Sequence, residues 1–200
     1  MISAILLAAG QSKRMNGKNK LIKQINGYPL IKYSVNNILN SSIDKLIIIL
    51  GHDDDKIRKA INKNKKIKFV YNEYFDTGIA SSIKVGINNL EKETRAFFVC
   101  LGDMPNVSKE IYNKLIISML DNEEKEIFVP YYNEKQANPI LFSITMKTML
   151  NSITGDTGAK KIISDNHNKV FKLKTTKKEV VTDYNYLKDF IKNSYIHEKK

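Results

Sequence analysis

The fold class of this 200-residue chain is decided by its N-terminal stretch, Ile2-Ser3-Ala4-Ile5-Leu6-Leu7-Ala8-Ala9-Gly10-Gln11-Ser12. Ile2 to Ala8 is a nearly continuous apolar run, which is typical of a β-strand covered on both faces. A loop rich in glycine and lysine, Gly10 to Lys20, follows directly. The stretch therefore predicts a buried strand that opens at its carboxyl end into a polar loop.

Strands and helices alternate along the rest of the chain. Apolar runs predict strands at 46–50, 67–71, 96–101, 127–130, 139–142 and 170–174. Apolar residues at helical spacing predict helices at 54–62, 81–90, 108–120, 143–151, 158–165 and 184–195, and Pro29 opens a further one. This alternation predicts one doubly wound α/β domain with a mostly parallel central sheet flanked by helices. Residues 131–138 read as an insertion in a less regular second half.

Composition excludes several classes of protein. The hydrophobic fraction of 42% and charged fraction of 27% are those of a globular chain, and the single cysteine, Cys100, excludes a disulfide framework. No apolar run approaches the ~18–20 residues of a membrane span, and the N-terminus lacks a signal-peptide pattern, so we expect a cytoplasmic location with no membrane partner. The net charge of +12 would suit nucleic acid, but only three basic residues are arginine and no nucleic-acid-binding motif is present. We therefore expect no nucleic-acid partner.

The Gly10–Lys20 loop is the first segment whose residues could bind a ligand. Its position after the first strand is where open α/β sheets bind ligands. Small residues, Ala8 to Gly10 and Ser12, let backbone N–H groups approach an anion, and Lys13, Arg14, Lys18 and Lys20 could balance a triphosphate. The spacing fits neither the Walker loop nor the dinucleotide fingerprint. A flexible lysine-rich surface loop remains the plain alternative.

Two further segments would reach the same edge of the sheet. Asp103 follows the strand at 96–101, and Pro105 stops that strand, so a carboxylate stands where Mg²⁺ could be held beside phosphates. Gly78, Ser81 and Ser82 lie at a predicted helix start, where hydroxyl and N–H groups suit a phosphate or a base edge. Each also has an ordinary structural explanation, as the acidic end of a strand and as helix caps.

These residues resemble the motifs of the MobA-like NTP transferases, the nucleotidyltransferase family that includes molybdenum cofactor cytidylyltransferase. The family's Leu-Ala-Ala-Gly-x-Ser-x-Arg-Met-Gly loop is similar to residues 7–17, and its later motifs are matched in order. Those matches are Gly27-Tyr28-Pro29-Leu30, Gly78 to Ile83, Gly102 to Pro105, Ala137 to Phe142 and Gly155 to Ala159. The resemblance implies a Rossmann-like, GT-A-like nucleotidyltransferase fold that uses CTP and Mg²⁺ and has molybdopterin cofactor as acceptor.

The resemblance also implies roles for individual residues. Arg14 and Lys20 match the catalytic cations, and Asp103 matches the metal ligand. The nucleotide-binding set would be Leu7, Ala8, Ala9, Gly10, Ser12, Arg14, Lys20, Gly78, Ser81 and Ser82. Asn138, Asp156 and Gly158 would contact the acceptor, and a molybdenum hydroxylase would be a partner. Asp183 would be a second metal ligand, whereas an alignment on Leu187 would put Thr182 in that place. The nucleotide half would span about 1–120 and the acceptor half about 121–200.

Three departures from the family pattern stand out. Asn16 is inserted before Gly17, Asn138 replaces a usual His, and the closing motif is degraded to Val180-Val181-Thr182-Asp183-Tyr184-Asn185. Two alternatives follow. One is a cytidylyl- or uridylyltransferase that acts on a sugar or polyol phosphate, and the other is a non-catalytic carrier of molybdopterin cofactor. For Gly155 to Gly158, a plain turn before a helix is as good an interpretation as an acceptor loop.

Overall fold

The computed structural model describes residues 1–12, 15, 19–185 and 189. Its strands are β1 (Ile2–Leu7), β2 (Gln24–Ile25), β3 (Tyr28–Pro29), β4 (Lys45–Leu50), β5 (Ile67–Tyr71), β6 (Ala96–Leu101), β7 (Ile127–Tyr132), β8 (Lys135–Gln136), β9 (Ile140–Ser143) and β10 (Val170–Lys174). Its α-helices are α1 (Leu30–Leu39), α2 (Asp54–Ala60), α3 (Ile79–Asn88), α4 (Lys109–Asp121), α5 (Lys147–Asn151) and α6 (Lys160–Asp165). None of these helices has the length and apolar character that a membrane crossing requires.

The main sheet has the strand order β10-β7-β9-β6-β1-β4-β5, with β8 paired to β7. Strands β5, β4, β1 and β6 are mutually parallel, and β9 runs antiparallel between β6 and β7. Because β7, β9 and β10 continue the sheet begun by β1, both halves of the chain share it. The predicted insertion at 131–138 is the β7–β8 hairpin.

Both faces of the sheet are covered, which explains the continuous apolar sequence of its strands. Alternate residues of β1 point to opposite faces: Ala4 and Leu6 join the core under α1, α2 and α4, whereas Ile5 joins the core under α3, α5 and α6. All three side chains are fully buried. A strand buried on both sides cannot alternate apolar with polar residues, so β6 is apolar throughout and β1 and β4 contain one polar residue each, Ser3 and Lys45.

Several element boundaries differ from the sequence-based prediction. Helix α3 begins at Ile79, two residues before the expected start at Ser81. The helix predicted at 143–151 is a 3₁₀ turn, Ile144–Met146, followed by α5. The short hairpin β2–β3 was not predicted. Most of the predicted closing helix lies outside the described residues, and Tyr184 and Asn185 at its expected start are not helical.

Candidate active site

The cleft opens where the strand order reverses. The chain runs from β1 outward to β4 and β5 and then returns to place β6 on the other side of β1. In open α/β sheets this reversal leaves a crevice at the carboxyl ends of the two central strands, and ligands bind there. Leu7 and Leu101 are paired at those ends, and the Gly102 N–H donates to the Leu7 carbonyl at 3.1 Å. The crevice has a volume of about 520 Å³.

Nine residues predicted from the sequence line this cleft. They come from the end of β1, the Gly10–Lys20 loop that follows it (the β1 loop), the start of α3, the end of β6 and the loop before α6: Leu7, Ala9, Gly10, Ser12, Lys20, Gly78, Ser82, Asp103 and Asp156. The structure therefore brings together segments that are about 150 residues apart in the sequence. Arg14, the other predicted catalytic cation, lies outside the described residues.

Lys20 stands at the anchored end of the β1 loop. Its backbone N–H donates to Ser12 Oγ at 3.1 Å, and this hydrogen bond joins the two ends of the loop. Its neighbour Asn19 is buried, donates from Nδ2 to the His52 carbonyl at 3.3 Å and accepts from the Leu21 N–H at 3.0 Å. These contacts fix the backbone from which the Lys20 side chain enters the cleft.

A compact polar cluster forms around the Lys20 ammonium group. Lys20 Nζ donates to Asp103 Oδ2 at 2.5 Å and to Asn185 Oδ1 at 2.8 Å. The side chains of Lys20 and Asp103 are each 17% exposed, so the ion pair is partly shielded from water. An ion pair in a partly desolvated cleft is screened less by salt and water than one on the surface.

The segment that carries Asn185 is attached to the end of β6. The Tyr184 N–H donates to the Asp103 carbonyl at 3.0 Å, and the Tyr184 side chain is buried, which raises the pKa of its hydroxyl. This anchor sets the register of the closing motif. Asp183 is exposed and accepts from Asn185 Nδ2 at 2.7 Å, and it does not line the cleft. The position predicted for Asp183, beside Asp103, is thus occupied by Asn185.

Other predicted residues also lie away from the cleft surface. Ala8 is buried among the strands and donates its N–H to the Ile49 carbonyl at 2.9 Å. Ser81 Oγ bonds within its own segment, to the carbonyls of Tyr74 and Gly78, and accepts from Asn72. Asn138 donates its backbone N–H to the Val180 carbonyl, and Gly158 is buried behind Ile79. None of these four is among the residues that line the cleft in the described part of the chain.

The oxygen atoms around Lys20 are the candidate metal ligands. Within the described ranges, no group of three His, Cys, Asp or Glu side chains is placed to hold a metal ion. However, Asp103 Oδ2 and Asn185 Oδ1 both accept from the same ammonium group, so these two oxygens are close neighbours. Mg²⁺ commonly uses one or two protein oxygens and completes its shell with water and phosphate oxygens. The donor set fits that cation.

The sequence as a whole matches a known family. Residues 4–170 match the MobA-like NTP transferase domain. The chain belongs to that family. The bifunctional protein GlmU of Staphylococcus epidermidis is 28% identical to this MobA-like domain over 115 residues, which cover 56% of the chain and 25% of GlmU. The chain thus matches about a quarter of the length of the curated relatives found.

Solved structures confirm the fold of this MobA-like domain. Rv0371c from Mycobacterium tuberculosis H37Rv superimposes with a TM-score of 0.83 at 23% identity, covering 97% of both chains. A complex of Rv0371c with manganese gives a TM-score of 0.71 at 22% identity, covering 87% of this chain and 88% of that one. The 4-diphosphocytidyl-2C-methyl-D-erythritol synthase of Anaerococcus prevotii gives 0.76 at 17% identity, covering 100% and 96%. The predicted Rossmann-like nucleotidyltransferase fold is therefore confirmed.

Sequence reasoning missed several residues of the cleft in this MobA-like domain. Phe75, Asp76 and Ile79 contribute to its wall, and Asn185 contributes to its floor beside Asp103. Ile79 follows the predicted residue Gly78 directly, and Asp76 and Phe75 lie two and three residues before Gly78, so closeness in sequence to Gly78 was the available signal. Asn185 ends the degraded closing motif, and only the burial of Tyr184 shows which of its polar residues reaches the cleft.

Proposed function

We propose that this chain transfers CMP from CTP to the terminal phosphate of molybdopterin cofactor and releases pyrophosphate. One observation supports this above the others: Lys20 and Asp103, 83 positions apart, meet in a cleft at the switch point of the sheet. A cation and a carboxylate beside a loop of small residues are what a metal–nucleotide complex requires. In this proposal, residues of about 1–120 bind the nucleotide and residues of about 121–200 the acceptor.

The β1 loop provides the binding surface for the triphosphate. Gly10 is exposed, and a Cβ placed on it would meet no atom within 4 Å, so its backbone is open to a close approach by phosphate. Lys20, at the end of the same loop, adds a positive charge to the cleft. The net charge of +12 steers an anionic substrate toward the protein, since a summed field of one sign raises the local concentration of counter-ions.

The reaction needs no general base from the protein. A phosphate monoester has its second pKa at about 6, so the acceptor is mostly dianionic at neutral pH and can attack directly. Among the described residues of the cleft wall there is no His or Cys. Attack on the α-phosphorus forms one P–O bond and breaks another, and the electron pair leaves on pyrophosphate. Lys20 offsets the charge that develops on these oxygens.

Asp103 and Asn185 would hold the metal ion. When bound, Mg²⁺ would supply further positive charge beside the phosphates of the nucleotide. The manganese complex of Rv0371c supports the use of a divalent cation in this fold. Since Lys20 now bonds to both oxygen ligands, it would have to turn toward the phosphates when a metal–nucleotide complex enters.

The choice of nucleotide and acceptor rests on sequence motifs. The Ala8-Ala9-Gly10 form of the loop resembles cytidylyl-transferring members of the family, and the synthase from Anaerococcus prevotii bears a diphosphocytidyl product in its name. The motifs at 137–142 and 155–159 resemble those of the molybdenum cofactor branch. We therefore propose molybdopterin cofactor as acceptor and a molybdenum hydroxylase as the protein that receives the product.

A pyrophosphate-release assay tests this function. CTP, GTP, ATP and UTP are each supplied with Mg²⁺, with and without molybdopterin cofactor, and pyrophosphate is measured over time. We expect release with CTP only when the cofactor is present, together with formation of the cytosine dinucleotide form. Release with another nucleotide would contradict the choice of CTP, and release without the cofactor would contradict the acceptor.

A second candidate is transfer to a sugar or polyol phosphate. It is favoured by Asn138, which stands where the family usually has His, and by the full-length likeness to the Anaerococcus prevotii synthase. In this case CTP or UTP would release pyrophosphate with such a phosphate and not with molybdopterin cofactor. A carrier without catalytic activity would bind the cofactor and release no pyrophosphate with any nucleotide.

A further inference from the structure

Residues 154–158, the loop before α6, close over the first turn of α3 from the opposite half of the chain. We propose that Asp156 is a positioning residue: it holds the start of α3, and thereby one wall of the nucleotide site, in its binding arrangement. We name this contact between residues 154–158 and the first turn of α3 the clasp. The proposal rests on the proposed function only for the identity of the nucleotide.

Two hydrogen bonds form the clasp. The Ile79 N–H donates to Asp156 Oδ1 at 3.2 Å, and the Ala80 N–H donates to the Gly155 carbonyl at 3.0 Å. The first N–H groups of a helix have no acceptor inside the helix, and a side chain at the N-cap usually provides one. The N-cap of α3 is Gly78, which has no side chain and makes no such bond. The cap is therefore supplied by a segment 77 positions away.

The two segments approach each other backbone to backbone. A Cβ on Gly78 would lie 2.5 Å from the Gly155 carbonyl carbon and 2.6 Å from its oxygen, so only glycine fits at position 78. Gly78 also has a φ of +115°, a conformation that side chains disfavour. Behind it, a Cβ on Gly158 would lie 3.5 Å from Ile79 Cγ2. The missing side chain at Gly78 thus allows the close approach, and the positive φ of Gly155 (+61°) shapes the loop that brings the carboxylate of Asp156 to the helix end.

The clasp lies on the wall of the cleft. Gly78, Ile79, Ser82 and Asp156 all line the cavity into which Lys20 and Asp103 project. If the cap is lost, the first turn of α3 frays, and a smaller fraction of molecules presents this wall correctly. Apparent affinity falls in proportion to that fraction. A missing helix cap shifts the equilibrium from the ordered to the frayed turn by about fivefold to tenfold, which sets the upper limit of the fall in affinity.

This role differs from the acceptor contact that the sequence predicts for Asp156. A cap needs only an oxygen that accepts a hydrogen bond, and asparagine serves at helix caps about as well as aspartate. An electrostatic contact with a ligand needs the negative charge, which asparagine lacks. Asp156→Asn therefore separates the two roles, while Asp156→Ala removes both.

The test measures binding of the Mg²⁺–nucleotide complex to the full chain by calorimetry, well below the unfolding temperature. We expect Asp156→Ala to bind CTP more weakly than the wild type, by up to about fivefold to tenfold, and Asp156→Asn to recover most of that loss. Asp165→Ala is the matched control, because Asp165 is an exposed carboxylate on α6, paired to Lys161, that does not line the cleft. It should bind as the wild type does.

Three results would overturn the proposal. Asp156→Ala could bind CTP as tightly as the wild type, or Asp156→Asn could bind as weakly as Asp156→Ala. In the third, both variants would keep CTP affinity and raise only the KM for the acceptor, which would make the carboxylate an acceptor ligand. If the wild type binds another of the four nucleotides instead of CTP, the variants are compared with that nucleotide. An error in the proposed nucleotide is then distinguished from an error in the role of Asp156.

A second variant tests the clasp should Asp156→Ala not fold. Gly155 has a φ of +61°, and a Cβ there would meet no atom within 4 Å. Gly155→Ala therefore strains the loop through its backbone without a steric clash. We expect weaker nucleotide binding in the same direction, with little change in the unfolding temperature. Unchanged binding by Gly155→Ala together with a lowered unfolding temperature would assign the clasp to stability alone.

Discussion

Replacing Asp103 by alanine is the most direct test of the site. Asp103 is the carboxylate at the end of β6 and contacts both the Lys20 ammonium group and, through its backbone carbonyl, the Tyr184 N–H. Alanine removes the first contact and keeps the second, so the closing segment stays attached. Lys20 Nζ also keeps its hydrogen bond to Asn185 Oδ1. The loss is therefore confined to one charge in the cleft.

Asp103→Ala should lose little stability and most of its activity. The side chain is 17% exposed and faces a solvated cleft, so removing it should cost about 1–2 kcal/mol of unfolding free energy. For a chain of this size that lowers the melting temperature by roughly 2–8 °C, and a protein stable by about 5–15 kcal/mol stays folded. The rate of nucleotidyl transfer should fall by at least about 10²–10³-fold, the typical effect of losing one preorganised electrostatic group.

The assay is pyrophosphate release at several Mg²⁺ concentrations, alongside circular dichroism and a thermal melt. Asp121→Ala is the matched control, because it deletes an exposed carboxylate at the end of α4, remote from the cleft lining. It should leave the rate unchanged. An Asp103→Ala enzyme that is folded and turns over within tenfold of the wild type at the same Mg²⁺ concentration would refute the role given to this carboxylate.

Three further predictions concern charge, packing and pH. Lys20→Met should lower kcat by about 10²–10³-fold in the pyrophosphate assay with the fold retained, and normal turnover would contradict its role. Gly86→Ala would place a Cβ 2.3 Å from Ile5 Cγ2, so calorimetry should show a melting temperature lower by roughly 2–12 °C, as expected for about 1–3 kcal/mol of overpacking. The hydrogen bond from Lys56 lowers the pKa of Asp53 in the folded protein. The ionised carboxylate therefore stabilises the fold fully above its unfolded pKa of about 3.9. This stabilisation is lost as the pH falls through the lower pKa of the folded state. In urea unfolding at pH 7, Asp53→Asn should therefore be less stable than the wild type by up to about 1 kcal/mol. This difference should disappear in strong acid. A difference that does not change with pH would contradict the prediction.

The elements of the fold could be predicted wherever burial leaves a mark on the sequence. Strands β1, β4 and β6 are covered on both faces, so each is a nearly continuous apolar run, and each was predicted within one or two residues. The hairpin β2–β3 was missed because strands of two residues are too short to show a period. The start of α3 was placed at Ser81 because serine is a common cap, whereas the real cap is Asp156 from a distant loop.

The sequence predicts the chemistry of the candidate site better than it predicts which residues form the site. The β1 loop and Asp103 follow strands that are adjacent and parallel, so their meeting at one edge follows from the topology. The topology does not show whether Asp183 or Asn185 lies beside Asp103. That depends on the Tyr184 side chain, which enters the core, and on the Tyr184 N–H, which donates to the Asp103 carbonyl. Ala8 was included for its small size, but its N–H is used by the ladder with Ile49.

By itself the sequence determined the order of the longer strands and helices, the side of the sheet on which the polar loops emerge, and membership of the family, because hydrophobic periodicity and local motifs are read along the chain. Only the tertiary structure decided that Asn185 lies beside Lys20 and that Asp156 caps α3. Such contacts join residues far apart in sequence, and their geometry depends on how buried side chains such as Tyr184 set the register between segments. No local pattern encodes that register.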